Sequence, residues 1–139
     1  MTLSPGLTEV AKVQNISIKG TLSGCTGGTG TSASYLMHLK TSTPETRASL
    51  TAGGGTAEGT SLLKWGKGKG NSQGTLKITG DPMTVSAWSG IVESGPLAAL
   101  GISSPEVSGS PVFKSKASCT GKKGLKTITL TGTTPFEIS

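Results

Sequence analysis

Short runs of alternating apolar and polar residues, each cut off by glycine or proline, constrain this chain more than any other feature. Between Lys12 and Ser23, Ile16, Ile18 and Leu22 alternate with Ser17, Lys19 and Thr21. That period of two belongs to a half-buried β-strand, not to a helix. From Ser34 to Thr43, Tyr35, Met37 and Leu39 share one face while His38 and Lys40 take the other, and Pro44 ends the run. Glu58 to Trp65, with Leu63 and Trp65 in phase, and Gly74 to Thr79, with Leu76 and Ile78 in phase, flank Lys67-Gly68-Lys69-Gly70-Asn71-Ser72 and read as a hairpin.

Weaker segments complete the series. A short strand is expected at Arg47 to Ala52. Met83 to Glu93 starts in step at Met83, Val85 and Ala87, shifts phase at Trp88, and so implies a bulge near Ser89-Gly90. Val107 to Phe113 carries Pro111 and is expected at a sheet edge. Leu125 to Thr131 and a short piece at Phe136 to Ile138 follow. Only Pro96 to Leu100 has helical character, at most a turn or two. Residues 1–10 read as a peripheral N-terminal arm and residues 11–139 as one domain.

These segments predict an all-β chain: a single-domain antiparallel β-sandwich or barrel of about eight or nine strands with at most one short helical turn. Composition agrees. Gly, Ser and Thr supply 62 of 139 residues and charged residues only 14%, which disfavours a helical bundle. The 32% of hydrophobic residues recur in alternation, which argues against a disordered Gly/Ser linker. No apolar run approaches the roughly 18 residues of a membrane span.

The charge is +6, carried by Lys with Arg47 as the single Arg. Nucleic-acid readers lean on the bidentate guanidinium, so no specific nucleic-acid role is expected. The Lys residues read as solvated surface, with weak attraction of Lys67 and Lys69 to an anionic surface as the functional alternative. Cys25 and Cys119 form no C-x-x-C pair, and the single His38 cannot complete a zinc site with them. A disulfide is their natural use, and it implies an oxidising, exported setting. The segment Met1-Thr2-Leu3-Ser4-Pro5-Gly6 has no basic region or apolar core of a signal peptide, as expected of an exported protein lacking its leader and started by an added Met1.

Catalytic signatures are weak. His38 is the one base available to a serine nucleophile and falls on a polar strand face. The acidic residues Glu9, Glu45, Glu58, Asp81, Glu93, Glu106 and Glu137 are scattered, without the pairing of a glycosidase, and a single Asp cannot build a calcium loop. No glycine cluster has the spacing of a phosphate-binding loop. Neither cofactor nor metal is expected. Trp65, in phase with Leu63, is expected in the core against Leu76 or Ile78. Trp88 is also read as core, but beside the expected bulge it is the better placed of the two to be exposed, and with Tyr35 it could offer a flat face to a sugar ring.

The ordered features Gly20-Thr21-Leu22-Ser23-Gly24-Cys25-Thr26-Gly27-Gly28, then Leu63-Lys64-Trp65, then Ser89-Gly90-Ile91-Val92-Glu93-Ser94-Gly95, then a second Cys before Leu130-Thr131-Gly132, resemble a family of small, largely uncharacterised exported β-rich proteins from actinobacteria. The resemblance implies export, a β-fold and a bridge between the two cysteines, and it carries over no activity. The expected function is non-catalytic binding or structural work at the cell envelope or outside the cell, with cell-wall polysaccharide or another envelope component as partner. The alternatives are a carbohydrate-binding module using Trp88 and Tyr35, and more distantly a small His38-dependent hydrolase.

Overall fold

The computed structural model describes residues 1–26, 30–81, 85–112, 124–132 and 136–139. Its strands are β1 (Thr2–Leu7), β2 (Asn15–Ser23), β3 (Ser32–Thr41), β4 (Gly55–Trp65), β5 (Asn71–Asp81), β6 (Val85–Ser94), β7 (Gly101–Val112), β8 (Leu125–Gly132) and β9 (Glu137–Ile138). Each of the first seven pairs antiparallel with the next in sequence, and β8 returns to pair with β1. The chain is therefore all-β, a sheet that curls round on itself as an up-and-down barrel instead of two stacked layers. β9 continues the line of β8 along β7. Among the described residues no helix is long and apolar enough to cross a membrane.

Period-2 alternation puts one face of β2 to β6 inside. Ile18 and Met37 face each other across β2 and β3, and both are fully buried beside Leu7, Leu76 and Ile128. Large and small residues alternate round the ring: Leu39, Gly59, Leu76, Gly90 and Ile102 stand in successive register on five strands. A Cβ on Gly59 would stand 2.0 Å from the His38 carbonyl oxygen, and one on Gly90 2.1 Å from that of Thr75. Only glycine permits this approach of adjacent backbones, which lets a small ring coil tightly.

Polar groups plug one end of the barrel. Gln14, fully buried, accepts from the Gly6 amide at 2.8 Å and donates to the Lys12 carbonyl at 3.0 Å. Buried Glu45 accepts from the Thr43 and Ser49 hydroxyls at 2.7 and 2.6 Å. Beside it lies the one short helix of the described residues, α1 (Arg47–Gly53), started by a reciprocal capping box between Thr46 and Ser49.

Several expectations need correction. Arg47 to Ala52 is helix, because that capping box outweighs a weak strand pattern. Pro96 to Leu100 is a turn, since Leu97 and Ala99 lie at φ 68° and 72°, outside the right-handed helical region. Residues 2–7 are no loose arm: they form β1, bury Leu3 and Leu7, and complete the ring. In β6 the inward residues are Ser86, Trp88, Gly90 and Val92, while Val85 and Ile91 are 54% and 44% exposed. Alternation there is unbroken, and the extra residue is Glu93, where Gln73 and Gly74 face Ser94 and Val92. Trp65 lies opposite Ala33, whereas Leu76 and Ile78 face Gly59 and Ala57. Pro111 pairs with Ile128, and among the described residues the β6–β7 pairing reaches only to Val107.

Candidate ligand cavity at the mouth of the barrel

Antiparallel order brings the ends of β2, β4, β6 and β8 and the starts of β3, β5 and β7 to one rim, opposite the plugged end. A cavity of about 730 Å³ opens there, within the range of small-molecule sites. An eight-stranded ring is just wide enough to be filled by its own side chains or to hold one small ligand, and here the far half is filled and the near half is not.

The lining is aromatic and aliphatic with hydroxyls between: Tyr35, Trp65, Trp88 and Phe136, then Leu22 and Leu130, with Ser104 and Thr21 among the polar groups. Trp88 is 5% exposed, and its indole N–H donates to Ser86 Oγ at 3.1 Å, which in turn donates to the Val107 carbonyl at 3.2 Å. The Trp65 indole donates to Ser72 Oγ at 2.8 Å, and that hydroxyl donates to the Pro96 carbonyl. A buried indole N–H without a partner would be costly. Both are satisfied within the wall, which leaves the ring faces to the cavity.

Tyr35 differs. Its ring lies over Gly20, where a Cβ would stand 2.3 Å from the phenolic oxygen, and its hydroxyl has no hydrogen-bond partner among the described residues. Burial pushes the phenol above its ordinary pKa. The described lining contains no basic side chain, and Glu137 is its one side-chain carboxylate. The chemistry therefore favours an uncharged ligand with apolar surface and a group to meet the Tyr35 hydroxyl.

Of the residues singled out in the sequence, Tyr35 and Trp88 meet in this cavity. Trp88 does so as a buried wall residue, not as an exposed ring, because it is in phase with Ser86. Lys67 and Lys69 sit on the β4–β5 turn at the same rim, exposed and outside the lining; Lys67 is at φ 55°. Cys25 is half-buried on the lining. Cys119 lies outside the described residues.

His38 is elsewhere, exposed on the outer wall in a shallow groove with Lys40, Glu58 and Thr60. Ser17 stands opposite it in the ladder, yet no hydrogen bond or ion pair involves the imidazole among the described residues. Glu58 pairs instead with Lys77 at 3.2 Å. Trp65 and Phe136 belong to the site although the sequence assigned them to core and strand; the available signal was their position at strand ends, beside loops that share a rim.

The chain matches no protein-family model, and neither the curated proteins nor the solved structures contain a match to it.

Proposed function

We propose that the chain is a non-catalytic binding protein that takes a small, uncharged, largely apolar molecule into the mouth of its barrel. The observation that carries this reading is the pairing of a plugged far end with an open near end walled by Tyr35, Trp65, Trp88 and Phe136. An interior serving stability alone would be packed to native density throughout. Export, work at or outside the cell envelope, and a Cys25–Cys119 bridge belong to the same proposal and rest on the sequence.

Titration with the uncharged fluorophore N-phenyl-1-naphthylamine, read through its own emission and through tryptophan quenching, tests the cavity. One saturable site is expected, and Ser104→Trp, which fills the cavity from its wall, is expected to abolish it. A probe that binds wild type and Ser104→Trp equally would refute the assignment. A second reading, sugar recognition, draws on the aromatic faces beside Thr21 and Ser104, and binding to insoluble cell-wall polysaccharide that is lost in Trp65→Ala would favour it.

A further inference from the structure

The chain has two Trp, two Phe and one Tyr, and four of these five rings, Tyr35, Trp65, Trp88 and Phe136, line the cavity at the mouth. The rest of the core is aliphatic, with Ile18, Met37, Leu76 and Ile128 fully buried. Aromatic side chains bring the largest apolar area per residue, so a chain this poor in them that needed them for packing alone would spread them through its interior.

A small residue stands beside each of three of these rings in the ladder. Gly20 is opposite Tyr35, Ala33 opposite Trp65 and Ser104 opposite Trp88. Side chains leave a strand roughly perpendicular to the sheet, and a small neighbour gives a ring room to fold down against the wall. At Tyr35 it does so, since a Cβ on Gly20 would stand 2.4 Å from the phenol Cζ. The indoles are held to the wall by their edges: the Trp65 N–H reaches Ser72 on the next strand, and the Trp88 N–H reaches Ser86 two residues back on its own. Edges bound to the wall leave faces for the lumen. Tyr35 pairs with Leu63, two residues before Trp65, so the two rings are diagonal neighbours about 7–8 Å apart at the backbone.

Little hydrogen-bonding capacity is left for a ligand. The Ser72 and Ser86 hydroxyls each accept from an indole and donate to a carbonyl, of Pro96 and of Val107. That suits a ring with one polar atom better than a sugar, whose hydroxyls all need partners. Tyr35 supplies the one contact. Its hydroxyl has no partner among the described residues, where no side-chain nitrogen or oxygen is both buried and unpartnered, so the phenol proton is open to an incoming acceptor.

We propose that the mouth takes a planar, uncharged aromatic ketone, which packs on the faces of the wall aromatics and accepts a hydrogen bond at its carbonyl from the Tyr35 hydroxyl. The assignment rests on the cavity reading above and names its ligand class. Contacts between aromatic rings stabilise beyond the area they bury, and a saturated ligand of equal bulk lacks that gain. Tyr35 is then the residue that selects for the carbonyl.

Three uncharged probes, each titrated to displace N-phenyl-1-naphthylamine, separate the parts of this assignment. Fluorenone is a planar aromatic ketone, fluorene is the same ring system without the oxygen, and dicyclohexyl ketone keeps the carbon count and the carbonyl but has no aromatic face. Fluorenone is expected to bind roughly tenfold more tightly than dicyclohexyl ketone, with its ring-proton resonances moved upfield as over aromatic faces. In Tyr35→Phe the ratio of fluorenone to fluorene affinity is expected to fall about fivefold, as for the loss of one hydrogen bond. Equal binding of the two ketones would overturn the proposal, and so would a ratio unchanged in Tyr35→Phe. Bound N-phenyl-1-naphthylamine that none of the three displaces defeats the ligand class and leaves the cavity standing, whereas absence of N-phenyl-1-naphthylamine binding defeats the cavity itself.

Discussion

Gly20 stands directly opposite Tyr35 in the β2–β3 ladder, and the phenol ring occupies the place where any other residue at position 20 would carry its Cβ. The ring thereby lies across Gly20 on the inner wall, with its hydroxyl over that residue. Substitution Gly20→Val is expected to drive the ring off the wall and into the cavity. Affinity for the uncharged probe N-phenyl-1-naphthylamine should fall at least tenfold while the far-ultraviolet circular dichroism stays that of a β-protein. Unaltered affinity would mean that the ring has no part in shaping the site.

Tyr35 is the single tyrosine, so its titration can be followed directly in the near ultraviolet. Burial disfavours the phenolate, and its folded-state pKa is raised above an unfolded value of about 10. A raised folded pKa contributes stability that is fully present below the unfolded value and is lost as pH rises through the folded one. Unfolding free energy should therefore decline above about pH 10 in wild type, and less steeply in Tyr35→Phe. A phenol midpoint at or below that of free tyrosine would contradict the placement.

The two tryptophans should respond differently to truncation. Trp88 is buried within the core cluster, and Trp88→Ala is expected to cost about 3–5 kcal/mol, a large part of a domain's typical 5–15 kcal/mol. Trp65 is half-buried at the rim, and Trp65→Ala should cost about 1–2 kcal/mol. Urea denaturation gives both values, and equal losses would contradict the assignment of one ring to the core and the other to the rim.

How much of this could be read in the sequence depends on what faces inward. Strands β2 and β3 and the β4–β5 hairpin were legible because Ile16, Ile18, Met37, Leu39, Leu76 and Ile78 keep strict period-2 spacing. In β6 the reading went out of phase, because the inward set contains Ser86 and Gly90 while Val85 and Ile91 point outward. Ser86 and Ser72 are interior residues that hold indole N–H groups, and a polar residue inside looks like a polar residue outside. Closure was not legible either, since β1 is short and contains Pro5, and its role depends on partners more than a hundred residues away. The same non-locality hid the site: Tyr35 and Trp88 were named, but only the ring order places Trp65 and Phe136 beside them.

Gln14 offers a test of the plugged end. Its amide spans the β1–β2 connection, meeting Gly6 and Lys12. Gln14→Leu keeps the volume but orphans a buried N–H and carbonyl, at about 2–4 kcal/mol. Amide exchange at Gly6 should accelerate in that variant. A stability equal to wild type would show that solvent reaches those groups.

For the proposed bridge, intact mass before and after reduction under denaturing conditions is decisive. The oxidised monomer should be lighter by two hydrogens, and thiol titration before reduction should find neither Cys25 nor Cys119. Two free thiols in protein folded under oxidising conditions would remove the bridge and, with it, the argument for export.

The central claim, that the open mouth is the binding site, is tested most directly by locating a bound probe. Nuclear Overhauser contacts are measured between the uncharged probe N-phenyl-1-naphthylamine and the side chains of the saturated protein. Contacts to the rings of Tyr35, Trp65 and Trp88 and to the methyl groups of Leu22 and Leu130 are predicted. Contacts confined to the outer groove around His38, or none to any cavity residue, would contradict the account.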